Sequence, residues 1–116
     1  QQKHNQWFLG KSLDTFAPMG PSIVTIDELV DVTSETISTT VNGEERQKAK
    51  IADLIFDIPT LMETLTSTMT LLPGDIIATG TPAGVGLGFE PPKFLNSGDV
   101  VSVNIDAIGC LTNPIA

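Results

Sequence analysis

The sequence is poor in the residues that several classes of protein require. Cysteine occurs once in 116 residues, so an internal disulfide cannot form; this fits a reducing compartment, and we expect the cytoplasm, or the mitochondrion of a eukaryote. Lysine and arginine number 6 against 14 acidic residues, for a formal net charge of −8. Because such a surface repels a phosphate backbone, we expect no nucleic-acid partner. No run approaches the roughly 18 apolar residues of a membrane helix, so we expect no membrane partner.

The remaining composition is that of one folded domain. Hydrophobic residues make up 41% of the chain, and 116 residues can form a single domain with a modest core. No linker divides the sequence. It begins at Gln1 with a polar run instead of methionine, so we interpret residues 1–116 as part of a longer polypeptide.

Short segments with a period of two predict a mainly β fold. Residues 36–42 alternate, with Ile37, Thr39 and Val41 on one face, and Asn42-Gly43 then gives a strong hairpin signal. A return strand is expected over residues 45–49, with a solvent face that accounts for its polar residues. The other predicted strands are residues 22–26, 75–78, 100–105 and 108–111. We therefore expect five to seven short strands.

One segment has the spacing of an amphipathic helix. Residues 59–69 carry an apolar stripe, which we interpret as core packing: Leu61, Met62, Leu65 and Met69. Asp57 is expected to cap this helix, with Pro59 near its first position. The predicted fold class is therefore α+β, mainly β with one main helix.

A glycine-rich turn follows the apolar run at residues 75–78. It reads Thr79-Gly80-Thr81-Pro82-Ala83-Gly84-Val85-Gly86, and two threonine hydroxyls flank Gly80. Hydroxyls beside an accessible backbone suit a small anionic ligand, although the glycines could equally serve only positive φ angles. The turn lacks a Gly-Lys-Ser/Thr ending and a G-x-G-x-x-G spacing, and Pro82 argues against a helix N-terminus there. A nucleotide is therefore not the expected ligand.

Other candidate residues are few. Lys11 lies between Gly10 and Ser12 in an irregular stretch, where a lysine can hold a carboxylate or polarise a carbonyl; an ordinary surface lysine is the alternative. We interpret Cys110 as an inert buried thiol and the sole histidine, His4, as exposed. No acidic residues show the spacing of a metal clasp, so we predict no metal ligands in this chain.

A series of short motifs resembles the fumarylacetoacetate hydrolase family, in order and over nearly the whole chain. Its branch of fumarylacetoacetate hydrolase domain-containing proteins is the most similar, through residues 89–95. The matching segments are residues 6–16, Pro18-Met19-Gly20-Pro21, Val41-Asn42-Gly43-Glu44, Gln47, residues 69–77, residues 79–86, Leu95, Gly98-Asp99 and Ile108-Gly109.

The resemblance implies a fold and an activity. The family fold is a mixed β-sandwich-roll, and members are usually dimers that hydrolyse, decarboxylate or tautomerise small keto acids with Mg²⁺ or Mn²⁺. The family's lysine falls on Lys11, where it would steady substrate charge. Its substrate-contacting glutamine falls on Gln1. Its carboxylate-holding turn falls on Thr79, Gly80 and Thr81.

The resemblance also implies that part of the site is missing. The family's metal is held by a Glu-x-Glu pair and an aspartate, and these lie upstream of the position that matches Gln1, as does the His/Glu pair that activates water. We therefore expect residues 1–116 to be a partial catalytic domain that lacks its metal-binding part and is inactive alone. The alternative is a non-catalytic β-rich fragment or assembly module.

Overall fold

A computed structural model describes residues 7–116; Gln1 and His4 lie outside the described residues. Two α-helices, α1 (Trp7–Lys11) and α2 (Ile58–Thr66), accompany four strands. The strands are β1 (Thr36–Val41), β2 (Glu44–Lys50), β3 (Val100–Ile105) and β4 (Gly109–Pro114). Four short 3₁₀ turns complete the regular structure of the described residues, at Ile26–Glu28, Val32–Ser34, Ile51–Asp53 and Gly86–Gly88.

The four strands form one antiparallel sheet in the order β2-β1-β3-β4. Two local hairpins, β1–β2 and β3–β4, are joined by the pairing of β1 with β3, in which Thr39 lies opposite Val103. A mainly β fold with one main helix is therefore confirmed.

The hairpin predicted at Asn42-Gly43 is confirmed. Both residues have positive φ, 51° and 82°, which the right-handed twist of a two-residue hairpin requires. Val41, which precedes the turn, is the only buried hydrophobic residue among those described, at 7% exposure. The centre of this sheet, where β1 meets β3, is therefore the best-covered part of the described chain.

A β-bulge interrupts the first hairpin. Thr39 pairs with Gln47 and Thr40 pairs with Glu45, so Arg46 is an extra residue on β2. A bulge leaves one residue unpaired and increases the local twist. As a consequence Arg46 and Gln47 are both half-buried, whereas the sequence predicted a simple solvent face there.

Helix α2 begins as predicted. The Asp57 carboxylate accepts a hydrogen bond from the backbone N–H of Thr60, at 2.8 Å, and Pro59 lies in the first turn. The predicted apolar stripe is only partly covered. Leu61 and Leu65 are half-buried, whereas Met62 and Met69 are exposed, so core packing describes half of the stripe.

Two predicted strands are wrong. Residues 22–26 run into the 3₁₀ turn Ile26–Glu28, and residues 75–78 have no regular structure. A strand needs a neighbour to receive its backbone hydrogen bonds, and no strand pairs with either segment among the described residues. Ile76 is 71% exposed, so its hydrophobic character alone did not identify a sheet position.

Cys110 is exposed, which corrects its interpretation as a buried thiol. Burial along β4 alternates, with Gly109 and Leu111 half-buried and Cys110 and Thr112 exposed. The alternation of side chains in a strand therefore places the thiol on the wetter face. Its Sγ lies 3.7 Å from the Thr112 hydroxyl oxygen.

The solvent-accessible surface of the chain is larger than expected for a folded monomer of its mass. Its accessible surface is 9138 Å², whereas a folded monomer of 12.3 kDa is expected to expose about 6,100 Å². Large hydrophobic side chains contribute strongly, among them Ile23 at 90% and Ile55 at 93% exposure. The described residues thus present an extensive apolar surface that this chain does not cover itself.

Candidate functional site

The Thr-Gly-Thr turn, residues 79–86, is fixed by glycine backbone conformations. Gly80 and Gly84 have φ of 114° and 105°, a region that side chains disfavour. At Gly84 the space is also occupied, because a Cβ there would overlap the Arg46 carbonyl oxygen. The turn therefore lies directly against the bulge of β2, and only glycine fits at the point of contact.

The end of the turn is held by a second segment. The Lys93 N–H donates to the Gly86 carbonyl at 2.8 Å, and a Cβ on Gly86 would overlap the Lys93 carbonyl oxygen. The glycines at positions 84 and 86 thus let the turn approach two pieces of backbone, one on each side.

Gln47 connects β2 to the middle of the turn. Its side-chain Nε2 donates to the Thr81 hydroxyl oxygen at 2.8 Å and to the Pro82 carbonyl at 2.9 Å. Gln47 is half-buried, and its Cγ is among the atoms nearest to Gly84. The Gln47 side chain therefore connects the Thr-Gly-Thr turn to β2 through two hydrogen bonds.

The turn forms one wall of a cavity of about 610 Å³. Thr79, Gly80 and Thr81 line it together with two lysines, Lys48 and Lys50, on β2. The rest of the lining is apolar except for Asp53. It comes from β1, β2, the Ile51–Asp53 turn, the segment that joins this turn to α2, α2 itself and the Thr-Gly-Thr turn: Ile37, Ala49, Ile51, Asp53, Leu54, Ile55, Phe56, Leu61, Pro82 and Ala83. The cavity thus combines hydroxyl and cationic groups with an apolar wall, which suits a small organic anion.

A charged cluster lies behind the turn, around the bulge. The Phe89 ring has the Arg46 guanidinium 5.3 Å and the Lys93 ammonium 5.0 Å from its centroid. Glu44 accepts from Lys93 at 2.6 Å and lies 3.4 Å from Arg46. The Lys93 hydrogen bond, aided by the charge of Arg46, lowers the pKa of Glu44 below its ordinary value.

The residues predicted from the sequence fall in three places. Thr79, Gly80 and Thr81 line the cavity. Lys11 is exposed at the end of α1 and does not belong to the cavity lining, whereas Lys48 and Lys50 do. Gln1 lies outside the described residues. The roles given to Lys11 and Gln1 therefore remain predictions.

Sequence reasoning missed the contribution of Gln47 and of the lysines on β2. The consecutive polar residues 45–48 were interpreted as the solvent face of the predicted strand, and Lys50 lay beyond its end. The bulge that turns Gln47 toward residue 81 depends on the pairing with β1, which local sequence does not encode.

The described residues do not form a metal site. Over residues 7–116 there is no group of three or more histidine, cysteine, aspartate or glutamate side chains placed to hold an ion. A divalent metal therefore does not fit the donor set that the structure describes. Within the same residues, no helix has the length and apolar character needed to cross a bilayer.

Comparison with known proteins identifies relatives of the whole chain. The sequence profile of the fumarylacetoacetate (FAA) hydrolase C-terminal family matches residues 1–116. The chain is 55% identical over 115 residues to the oxaloacetate tautomerase YisK of Bacillus subtilis, covering 99% of this chain and 38% of YisK.

Solved structures of related proteins have the same fold as this chain. A fumarylacetoacetate hydrolase from psychrophilic Exiguobacterium antarcticum superimposes with a TM-score of 0.94 at 48% identity, covering 99% of this chain and 41% of that one. A maleylpyruvate hydrolase from Sphingobium, in complex with manganese(II) and pyruvate, gives a TM-score of 0.80 at 43% identity, covering 89% and 36%.

These relatives include a tautomerase and hydrolases that act on small keto acids, and this chain spans about two fifths of their length. The family profile covers every residue, and the fold agrees with it. The chain belongs to the fumarylacetoacetate hydrolase family.

Proposed function

We propose that this chain supplies the carboxylate-binding wall of an enzyme active site that tautomerises or cleaves a small keto acid. The observation that carries the proposal is the Thr-Gly-Thr turn, which lines a 610 Å³ cavity and is fixed to β2 in a chain 55% identical to an oxaloacetate tautomerase. Because this chain spans 38% of YisK, the complete site is proposed to include residues of a longer protein.

The turn offers donors suited to a carboxylate. Thr79, Gly80 and Thr81 line the cavity, and the two threonine hydroxyls and the backbone N–H of Gly80 would donate to carboxylate oxygens. Lys48, which is paired with Glu45 at 3.7 Å, and Lys50 would attract the anion, and together they outweigh the one carboxylate of the lining, Asp53. The apolar wall, with Ile55 and Phe56, would exclude water from the rest of the substrate.

Tautomerisation of a keto acid places negative charge on the former keto oxygen as a carbon-bound proton leaves. A fixed cation stabilises such developing charge. We propose this role for Lys11, which lies at the end of α1 beside an irregular segment. Mg²⁺ or Mn²⁺ is proposed to be a cofactor of the longer protein, with its ligands outside residues 7–116.

A segment exchange tests the proposal. The part of YisK that matches this chain is replaced by residues 1–116, giving an exchange protein, and keto–enol interconversion of oxaloacetate is followed by ultraviolet absorbance. We expect tautomerase activity. An exchange protein with the secondary structure and thermal stability of YisK but no activity would contradict the proposal.

Matched substitutions in the exchange protein test whether the Thr81 hydroxyl binds the substrate carboxylate. Thr81→Val removes the hydroxyl at similar volume and should raise KM for oxaloacetate about tenfold, the effect expected of one lost hydrogen bond to a charged group. Thr81→Ser keeps the hydroxyl and should remain near the unsubstituted value. Equal KM values for the two variants would argue against carboxylate binding by Thr81.

A second candidate function is that of an assembly module. It is favoured by the exposed apolar surface, which would be covered in a homodimer or by a longer chain. If residues 1–116 alone form a stable dimer that binds neither pyruvate nor Mn²⁺ in calorimetry, and the exchange protein is inactive, this second function is preferred. Activity of the exchange protein would remove the need for it.

A further inference from the structure

We propose that Gln47 is a positioning residue that fixes the direction in which Thr81 donates its hydroxyl hydrogen. The inference rests on the proposed function, in which the Thr-Gly-Thr turn binds a carboxylate, and assigns a residue behind the turn to that function. Gln47 does not line the cavity, so it would act through Thr81 and not by touching the substrate.

The orientation of the Gln47 amide follows from its partners. A backbone carbonyl only accepts hydrogen bonds, so the atom 2.9 Å from the Pro82 oxygen must be the nitrogen, Nε2. The same nitrogen lies 2.8 Å from the Thr81 hydroxyl oxygen. An amide nitrogen carries two hydrogens and accepts none, so each hydrogen serves one of these two partners.

The state of the Thr81 hydroxyl then follows. In the bond with Gln47 its oxygen is the acceptor, so its own hydrogen is not used there. Thr81 also lines the cavity. The hydroxyl is thus held as a donor for a ligand, which is the polarity that a carboxylate oxygen needs. A glutamate at position 47 would reverse this polarity, because its carboxylate would accept the Thr81 hydrogen.

Packing makes Gln47 suited to this role. It is half-buried at the bulge, next to Gly84, where the turn lies against the β2 backbone. It is also the only glutamine within residues 7–116. No second amide of this length is available among the described residues to replace its two hydrogen bonds.

The test uses the full-length gene product that carries this chain, with oxaloacetate as substrate and pyruvate as binding probe. Gln47→Leu should raise KM and the pyruvate Kd about tenfold with a smaller change in kcat, since two hydrogen bonds to the turn are lost. Gln47→Glu should raise them further. Glu63→Gln, which also interchanges a carboxylate and an amide but at an exposed position of α2, is the control, and it should change neither KM nor the pyruvate Kd.

A pH series separates donor orientation from simple structural support. When protonated, the carboxyl introduced by Gln47→Glu regains one O–H donor, so the ratio of its KM to that of the wild type should fall as pH is lowered from about 7 to about 4, through the ordinary pKa of a glutamic acid at about 4.3. The ratio for Gln47→Leu should stay constant. Equal and pH-independent ratios for the two variants would overturn the proposal.

Failure of the proposed function gives a different result. In that case the wild type neither tautomerises oxaloacetate nor binds pyruvate. Crystal structures of the wild type and Gln47→Leu then decide the positioning role alone. A displaced Thr81 in the variant supports it, and an unchanged turn overturns it.

Discussion

The Asn42 side chain donates to the Asp99 carboxylate at 2.8 Å, although 57 positions separate them in the chain. Asn42 also accepts from the Val100 N–H through its side-chain oxygen, at 2.9 Å, and its own N–H donates to the Val100 carbonyl at 2.9 Å. The turn of the first hairpin is thereby fixed to the start of β3, and this contact sets the register in which β1 pairs with β3.

The Asn42–Asp99 contact predicts a loss of stability in acid. Hydrogen bonds from the Asn96 N–H, first, and then from the Asn42 side chain lower the pKa of Asp99. A carboxyl with a lowered folded pKa stabilises the fold above its unfolded pKa, and this contribution is lost as pH falls through the folded value, below about pH 4. Urea unfolding of the exchange protein across this range should show Asp99→Asn losing less stability in acid than the unsubstituted protein. Asp14→Asn, at an exposed aspartate, is the control and should retain the full acid dependence; a similar loss in all three proteins would contradict the assignment.

The contact between Gly84 and β2 predicts a specific cost for a methyl group there. In Gly84→Ala the new methyl group would overlap the Arg46 carbonyl oxygen, and the alanine would have to adopt a positive φ. In Gly74→Ala the alanine would also have to adopt a positive φ, of 99°, but no atom lies within 4 Å of its methyl group. Backbone strain alone should cost about 1–2 kcal/mol at both positions. Only Gly84→Ala should also move the turn and raise KM for oxaloacetate in the exchange protein, by about tenfold or more. Indistinguishable KM values for the two variants would show that the turn tolerates displacement from β2.

Local signals predicted the parts of the fold that are locally determined. Asn42-Gly43 marked its hairpin because both residues accept positive φ, and Asp57 marked the start of α2 because its side chain caps it. Two Gly-Asp turns, at Gly74-Asp75 and Gly98-Asp99, share the same local hydrogen bond. Leu72 and Asn96 each donate a backbone N–H to the aspartate three residues on, at 2.7 and 2.8 Å.

Features that depend on distant partners were not predictable in the same way. The two Gly-Asp turns are alike, yet only the second leads into a strand, because β1 is present to pair with β3 whereas residues 75–78 have no such neighbour among those described. The Gln47 contact likewise requires the bulge at Arg46, which arises from register. The sequence motifs therefore predicted the Thr-Gly-Thr turn, whereas the Gln47 contact that fixes this turn to β2 depends on tertiary structure.

The two cations close to the Phe89 ring predict a stabilising role for it. The Arg46 and Lys93 side chains lie 5.3 and 5.0 Å from its centroid. Phe89→Leu keeps an apolar side chain but removes the π face, and should lower the free energy of unfolding by about 1 kcal/mol. Phe94→Leu, at a phenylalanine that is 62% exposed, is the matched control and should cost less. Urea unfolding of the exchange protein measures both, and an equal cost would assign the effect to ring size alone.

The apolar surface predicts how the isolated chain behaves. Residues 1–116 expose about 3,000 Å² more than a folded monomer of this mass should. We expect the isolated chain to bind the dye ANS strongly and to self-associate with rising concentration, as exposed apolar patches do. The exchange protein should bind far less dye per chain. Equal dye binding by the two would show that the rest of YisK does not cover this surface.

The extra residue in β2 also limits how the sheet can grow. β2 and β4 are its two edges, and β2 combines the bulge with Lys48 and Lys50, while β4 ends in Pro114, which has no N–H to offer. Twisted backbone, lysine and proline are the features that prevent a foreign strand from adding to an edge. Both edges therefore carry features that oppose the strand addition that leads to fibrils, although several of the most exposed apolar side chains, such as Ile23 and Ile55, lie outside the sheet.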